Sequence, residues 1–336
     1  MIYKLVYKKK VAVLSALIAV LAIVYICTLV FDPQNSRSSA FAWLESGQLD
    51  MADRMEIYGT NGKIELRRRN NVWFFVTGTE DLTGENFLVS PGVDESRRML
   101  PVKQNRVADL FSLLSRKSVY PLRAVSAEGS ERLGLTGEGS SRIIVHGGAG
   151  LPLLDLLIGG GDALGREVYL KRSGKNEIYS GEDDFSFFIE SRPASWYDLR
   201  LFAEDGRSYG VEAVQQAEIT LPWGTPFILR RGGRGWIVQG DESASSSLDV
   251  TRVDSWLRST LEAEGDDFGA EAPETIEGNI TLRFGDGRTQ TLLVGAVDEN
   301  RKRSATVSTS ALIYTIGEWT FNNLFRDNSY FLNTAQ

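Results

Sequence analysis

Cysteine and histidine are nearly absent from this chain of 336 residues, with Cys27 and His146 the sole examples. A single cysteine set inside an apolar run forms no intramolecular disulfide, so a body of this size is held by its core alone. A single histidine excludes multi-histidine metal sites and leaves little room for a Ser-His-Asp triad. The phosphate loop G-x-x-x-x-G-K-[ST], the dinucleotide motif G-x-G-x-x-G opening a helix, and the calcium pattern D-x-[DN]-x-[DN]-G are missing as well. No cofactor is expected, and no enzymatic activity.

Acid is missing from residues 1–31, which carry Lys4, Lys8, Lys9 and Lys10. The rest holds 33 basic residues (37 less these four) against 44 acidic ones, a net −11. A body this acidic repels nucleic acid. Between the lysines and Asp32-Pro33 lie 21 residues without a charge, Val11 to Phe31. As a helix they span roughly 30 Å, the thickness of a bilayer core. The sequence therefore predicts a signal anchor with Val11, Leu14, Ile18, Leu21 and Phe31 in lipid. Lys8, Lys9 and Lys10 set the topology, with residues 1–10 as a cytoplasmic tail and the bulk extracytoplasmic on the inner membrane. A cleaved signal peptide has a shorter apolar core. An A-x-A pattern does stand at Ala40-Phe41-Ala42, nine residues beyond Phe31, which leaves cleavage after Ala42 as the alternative. Residues 32–49 read as a polar stalk.

From Met55 onward the sequence repeats itself. MEIYG, a turn at Asn61-Gly62, KIELRR and VWFFV are answered by AEITL, a turn around Trp223-Gly224, PFILRR and GWIVQG. Thus Ile57 matches Ile219, Leu66 matches Leu229, and Trp73 matches Trp236. Such runs read as strands joined by hairpins. Val107, Leu110, Phe111 and Leu114, and then Val253, Trp256, Leu257 and Leu261, mark the apolar faces of two helices, with Pro101 suited to the first turn of one and Asp249 to the cap of the other. Ile143 matches Ile280, Gly159 matches Gly295, Tyr179 matches Tyr314, and Phe185, Phe188 and Ile189 match Phe321, Leu324 and Phe325. The expectation is an α+β chain: a transmembrane helix, then two tandem, similar strand-rich halves, each with hairpins and one amphipathic helix. They occupy residues 50–191 and 217–336, with 192–216 as linker. Thr77 to Pro101 and the Val119–Ser140 region read as insertions in the first half.

Candidate sites are sparse. The glycines at 147–150 and 159–161 read as turn residues. Glu182-Asp183-Asp184 and Glu264, Asp266 and Asp267 read as solvated acids, the first set favouring a helix start. His146 reads as a surface turn residue, and Trp73, Trp236, Trp256 and Trp319 as core. Arg67, Arg68 and Arg69 are expected on a hairpin surface. Trp43, Trp196 and Trp223 fall in linkers or turns, where an exposed aromatic marks a binding surface. Trp196, Trp223 and the three arginines are the candidate interaction surface.

The order of VWFFV, VADLFSLLSRK, ERLGL (Glu131–Leu135), LLIGG (Leu156–Gly160), a hairpin with VYL and IYS, and SWYDLRLF (Ser195–Phe202) resembles domain-of-unknown-function family 4340 from about Val72 to Leu261. Members are bacterial membrane-anchored proteins, often encoded beside ABC transporters of the gliding-motility or ABC-2 type. The resemblance implies an accessory or scaffold subunit whose partners are the lipid bilayer and an ABC transporter permease or gliding-protein-like membrane subunit. It carries over no catalytic residue. Two other functions stay open on the residues alone. One is a module binding envelope glycan or an exported substrate, in a groove between the halves. The other is a hydrolase built on paired carboxylates.

Overall fold

Apolar and polar residues alternate through most of the chain, and alternation builds half-buried strands. A computed structural model of the protein describes residues 18–25, 40–77, 99–136 and 140–333, less 149, 151, 162–163, 205–208, 224–225, 234 and 241–247. The fold is mixed α+β and mostly strand.

After a helical stretch at 18–25 come β1 (Ala40–Phe41), α1 (Ser46–Leu49), β2 (Ala52–Gly59), β3 (Gly62–Arg69), β4 (Val72–Val76), β5 (Met99–Pro101) and α2 (Gln104–Ser115). The chain continues through β6 (Ser118–Val119), β7 (Leu122–Ala124), α3 (Ala127–Arg132), β8 (Ser141–Gly147), β9 (Pro152–Gly161), β10 (Glu167–Arg172), β11 (Ile178–Glu182) and α4 (Ser186–Ile189). From Val214 it forms β12 (Val214–Thr220), β13 (Phe227–Gly232), β14 (Gly235–Val238), α5 (Val250–Leu261), β15 (Asp267–Phe268) and β16 (Ile276–Phe284). It closes with β17 (Thr289–Val297), β18 (Lys302–Val307), β19 (Ile313–Gly317) and α6 (Glu318–Leu324).

Two compact units result, Met1–Lys63 with Asp109–Ser191, and Ile64–Ala108 with Arg192–Gln336. In the first, antiparallel strands run in the order β2-β8-β9-β10-β11-β7, and β1 pairs with β6. Ile57, Ile143, Val145, Leu156 and Leu170 are buried along one face of this sheet. Gly159, expected in a turn, instead lies within β9: a Cβ there would meet the Leu133 carbonyl oxygen at 2.2 Å, and the Gly160 N–H donates to that same carbonyl at 3.1 Å. Close backbone approach, not a bend, demands this glycine.

In the second unit the order is β14-β13-β12-β16-β17-β18-β19-β15. Val253, Trp256, Leu257 and Leu261 on α5 are buried, as their spacing predicts. Asp249 caps the helix, accepting from the N–H groups of Thr251 and Arg252 at 3.0 and 3.2 Å. Segment 64–108 belongs to this unit: Val102 bridges Tyr197, the Lys103 N–H donates to the Trp196 carbonyl at 2.9 Å, and the ring of Phe75 meets Tyr197 edge-on. Pro101 ends β5 and does not open α2. The Gln104 amide there donates to the carbonyls of Trp73 and Val102, at 2.8 and 3.0 Å, and so ties the helix start to the strand.

Two segments expected to be open are packed. Trp43 and Leu44, in the expected stalk, are buried, and so are Trp196, Leu201 and Phe202, in the expected linker. Most of the predicted insertion between Thr77 and Pro101 lies outside the described residues.

Candidate functional site

Polar and aromatic side chains gather at several places among the described residues, and two of them stand out. One is a cleft in the second unit, of about 510 Å³, between the C-terminal end of α5 and the helix α6. That volume lies within the range of small-molecule sites. Trp256 and Leu324 form its floor and are fixed to each other: the indole Nε1–H donates to the Leu324 carbonyl at 2.9 Å. Ser259, Glu262 and Glu264 line one wall, Glu264 accepting from Lys103 Nζ at 3.5 Å. Asn323, Arg326 and Tyr330 line the other. Arg326 holds that wall, donating to Asn323 Oδ1 at 2.6 Å and covering the Tyr330 ring at 5.0 Å. Trp319 stands at the mouth with 80% of its surface in solvent. Its expected place in the core is thereby corrected. It precedes Phe321 by two residues, about 200° around a helix, so it points away from the Phe321, Leu324 and Phe325 face.

The other place is the polar face of the first unit's sheet. His146 lies opposite Arg54 in the ladder and is mostly buried, not a surface turn residue. Its Nε2 stands 3.2 Å from Arg54 Nη2 and 3.5 Å from Glu56 Oε2. Lys63 Nζ reaches Glu56 Oε1 at 3.4 Å and the Tyr58 hydroxyl donates to Oε2 at 3.3 Å. Burial pushes the Glu56 pKa up, but Lys63, Arg54 and the hydrogen bonds of Lys63 and His146 outweigh it and leave it below the usual carboxylate value. The contacts of the sole histidine are thus a cation and a carboxylate, an ion-pair buttress and not a nucleophile with its base. Because the folded pKa is lowered, Glu56 stabilises the fold above the unfolded carboxylate pKa, and this is lost as pH falls through the folded value. Glu56→Gln is expected to cost about 1–3 kcal/mol at neutral pH and to flatten the loss of stability below pH 4.5. Chemical denaturation across pH 3–7 measures both.

The other predicted residues are scattered. Trp196 is fully buried, with the Arg106 guanidinium 4.8 Å from its ring, so it offers no surface. Trp223 is 64% exposed. Arg67 and Arg69 are exposed on β3, and Arg67 pairs with Glu65 at 3.0 Å. Arg68 covers Trp73 at 5.9 Å. Asn70 and Asn71, both at positive φ, make the hairpin turn between β3 and β4. Of the acids, Asp184 pairs with Arg116 at 2.6 Å, Asp266 pairs with Lys302, and Asp267 lies in β15. No group of three or more metal-ligating side chains is placed to hold an ion among the described residues.

Of the predicted anchor, Ile18 and Leu21 lie in the helical stretch 18–25 and are exposed. Val11, Leu14, Phe31 and Lys8, Lys9 and Lys10 lie outside the described residues. No helix among the described residues is long and apolar enough to cross a membrane. No protein-family model matches the chain, and no curated protein matches it.

Proposed function

We propose that the chain is a single-pass inner-membrane protein whose extracytoplasmic body serves, without catalysis of its own, as an accessory or scaffold subunit of an ABC-type transporter or gliding-related export complex. One observation carries the membrane part of this reading, and the resemblance in segment order carries the partner. Ile18, Val20, Leu21, Ile23, Val24 and Tyr25 sit on helical backbone with their side chains exposed, inside 21 consecutive uncharged residues. Apolar helix surface of this kind is satisfied by lipid, and lysines on one flank alone orient it.

The body, in this reading, is a tandem pair of similar halves. Strand order supports it: β2-β8-β9-β10-β11-β7 corresponds to β12-β16-β17-β18-β19-β15. Register supports it more closely, because residues matched by sequence also pair alike. Ile57 faces Ile143, as Ile219 faces Ile280. Leu170 faces Tyr179, as Ala305 faces Tyr314. Arg68 faces Trp73, as Arg231 faces Trp236, and each arginine covers its tryptophan, at 5.9 and 4.6 Å. The irregularity between Val168 and Leu170 recurs between Val294 and Val297 of the corresponding ladder. Phe41 faces Ser118 just beyond α2, as Arg200 faces Glu264 just beyond α5. The halves therefore start near Ala40 and Leu199, which accounts for the packed stalk and linker.

Affinity capture from mild-detergent extracts of native membranes tests the partner. Co-purification of a transporter permease or its membrane partner is expected; a preparation free of every transporter subunit would falsify the reading.

A further inference from the structure

We propose that the cleft between α5 and α6 binds a neutral saccharide, with the open face of Trp319 as its stacking platform. Three features of the cleft point to this chemistry. A large aromatic plane left in water at the mouth of a pocket is unusual, because burying it is strongly favourable. A pyranose ring covers such a plane with its C–H face while turning hydroxyl groups outward.

Those hydroxyls meet groups suited to them. Glu262, Glu264, Asn323, Arg326 and Tyr330 together offer acceptors and donors around the floor of Trp256. Charge selects against ions: two carboxylates face one guanidinium, and Lys103 offsets one of the carboxylates at 3.5 Å. A site for an anion or a cation needs an excess of one sign, and this one has little. The walls are also set in advance by the Trp256–Leu324 and Arg326–Asn323 bonds, so little ordering is required on binding.

The corresponding place in the first half, on the tandem reading, carries an ion pair. Glu262 corresponds to Arg116 and Thr320 to Asp184, and there Arg116 Nη2 donates to Asp184 Oδ2 at 2.6 Å. Trp319 corresponds to Asp183, whose carboxylate accepts from the Ser186 N–H at 3.2 Å. In the second half Glu262 and Thr320 stand at those positions and line the cleft, with Trp319 beside them.

The test is titration of the purified full chain in detergent with glucose, cellotetraose and chitotetraose, followed by calorimetry and tryptophan fluorescence. It needs no partner protein, so its failure is distinct from failure of the transporter reading. Saturable binding of at least one tetramer is expected. Trp319→Ala, at an exposed position, should weaken it about tenfold or more. Asn323→Ala should weaken it too, and Phe187→Ala, at an exposed aromatic of the first unit outside the cleft, should leave it unchanged. Absence of saturable binding with all three sugars overturns the proposal, as does equal affinity in the Trp319→Ala chain.

Discussion

A chain lacking residues 1–31 is expected to leave the membrane. In fractionated cells the intact protein should stay in the pellet through an alkaline carbonate wash, and the shortened one should be in the soluble fraction. The size of the effect comes from composition. Thirteen of the 21 residues from Val11 to Phe31 are Val, Leu, Ile or Phe. Each contributes roughly −0.3 to −0.6 kcal/mol near the centre of a span. The sum is several kcal/mol, with no charged group to set against it. Among the described residues no helix is long and apolar enough to span. Pelleting of the shortened chain would mean that the body itself holds the membrane, directly or through a partner; a high-salt wash that released it would point to the partner.

Trp43→Ala should be among the most damaging single substitutions in the body. The side chain is 1% exposed and its ring lies 5.1 Å from Phe41, 5.2 Å from Tyr120 and 5.9 Å from Tyr179. The Trp43 carbonyl accepts from Arg172, and the Leu44 N–H donates to the Leu114 carbonyl at 3.0 Å. Emptying that site costs about 3–5 kcal/mol, the range for large aromatic truncations in a core. Phe202, fully buried two residues after the corresponding bridge, should cost a similar amount. Thermal unfolding of the detergent-solubilised chain, followed by near-ultraviolet circular dichroism, reads both. A loss below about 1 kcal/mol at Trp43 would mean that residues 40–44 are not docked.

The same cluster bears on processing. Cleavage after Ala42 would discard Ala40 and Phe41, the whole of β1, and with them the ring contacts to Trp43, Tyr120 and Tyr179. Ala40 and Phe41 of the A-x-A pattern form a strand paired with β6, and Phe41 packs against three rings, which, on the anchored reading, favours a mature chain that keeps residues 1–42.

Periodicity carried much of the fold. The strands around Ile57, Trp73, Ile219 and Trp236 and the apolar faces of α2 and α5 are readable because period 2 and period 3.6 show in the sequence. Trp43, Trp196 and Phe202 lie in a bend, a short 3-10 segment and a turn, with no period to mark a buried face, so their neighbourhoods read as linker. The opposite error befell Trp319, whose place off the Phe321 face was available from spacing but was masked by its aromatic company. The cleft was not readable at all, because it depends on how the end of α5 meets α6 and residues 323–330. Only the tertiary fold brings Glu262 beside Asn323 and Arg326.

Protease added to intact spheroplasts tests the membrane-anchored, exported arrangement most directly. Digestion of the body without lysis, leaving a small fragment that contains the lysine tail and the span while a cytoplasmic control stays whole, is the expected result. Full protection until the membrane is lysed would contradict it.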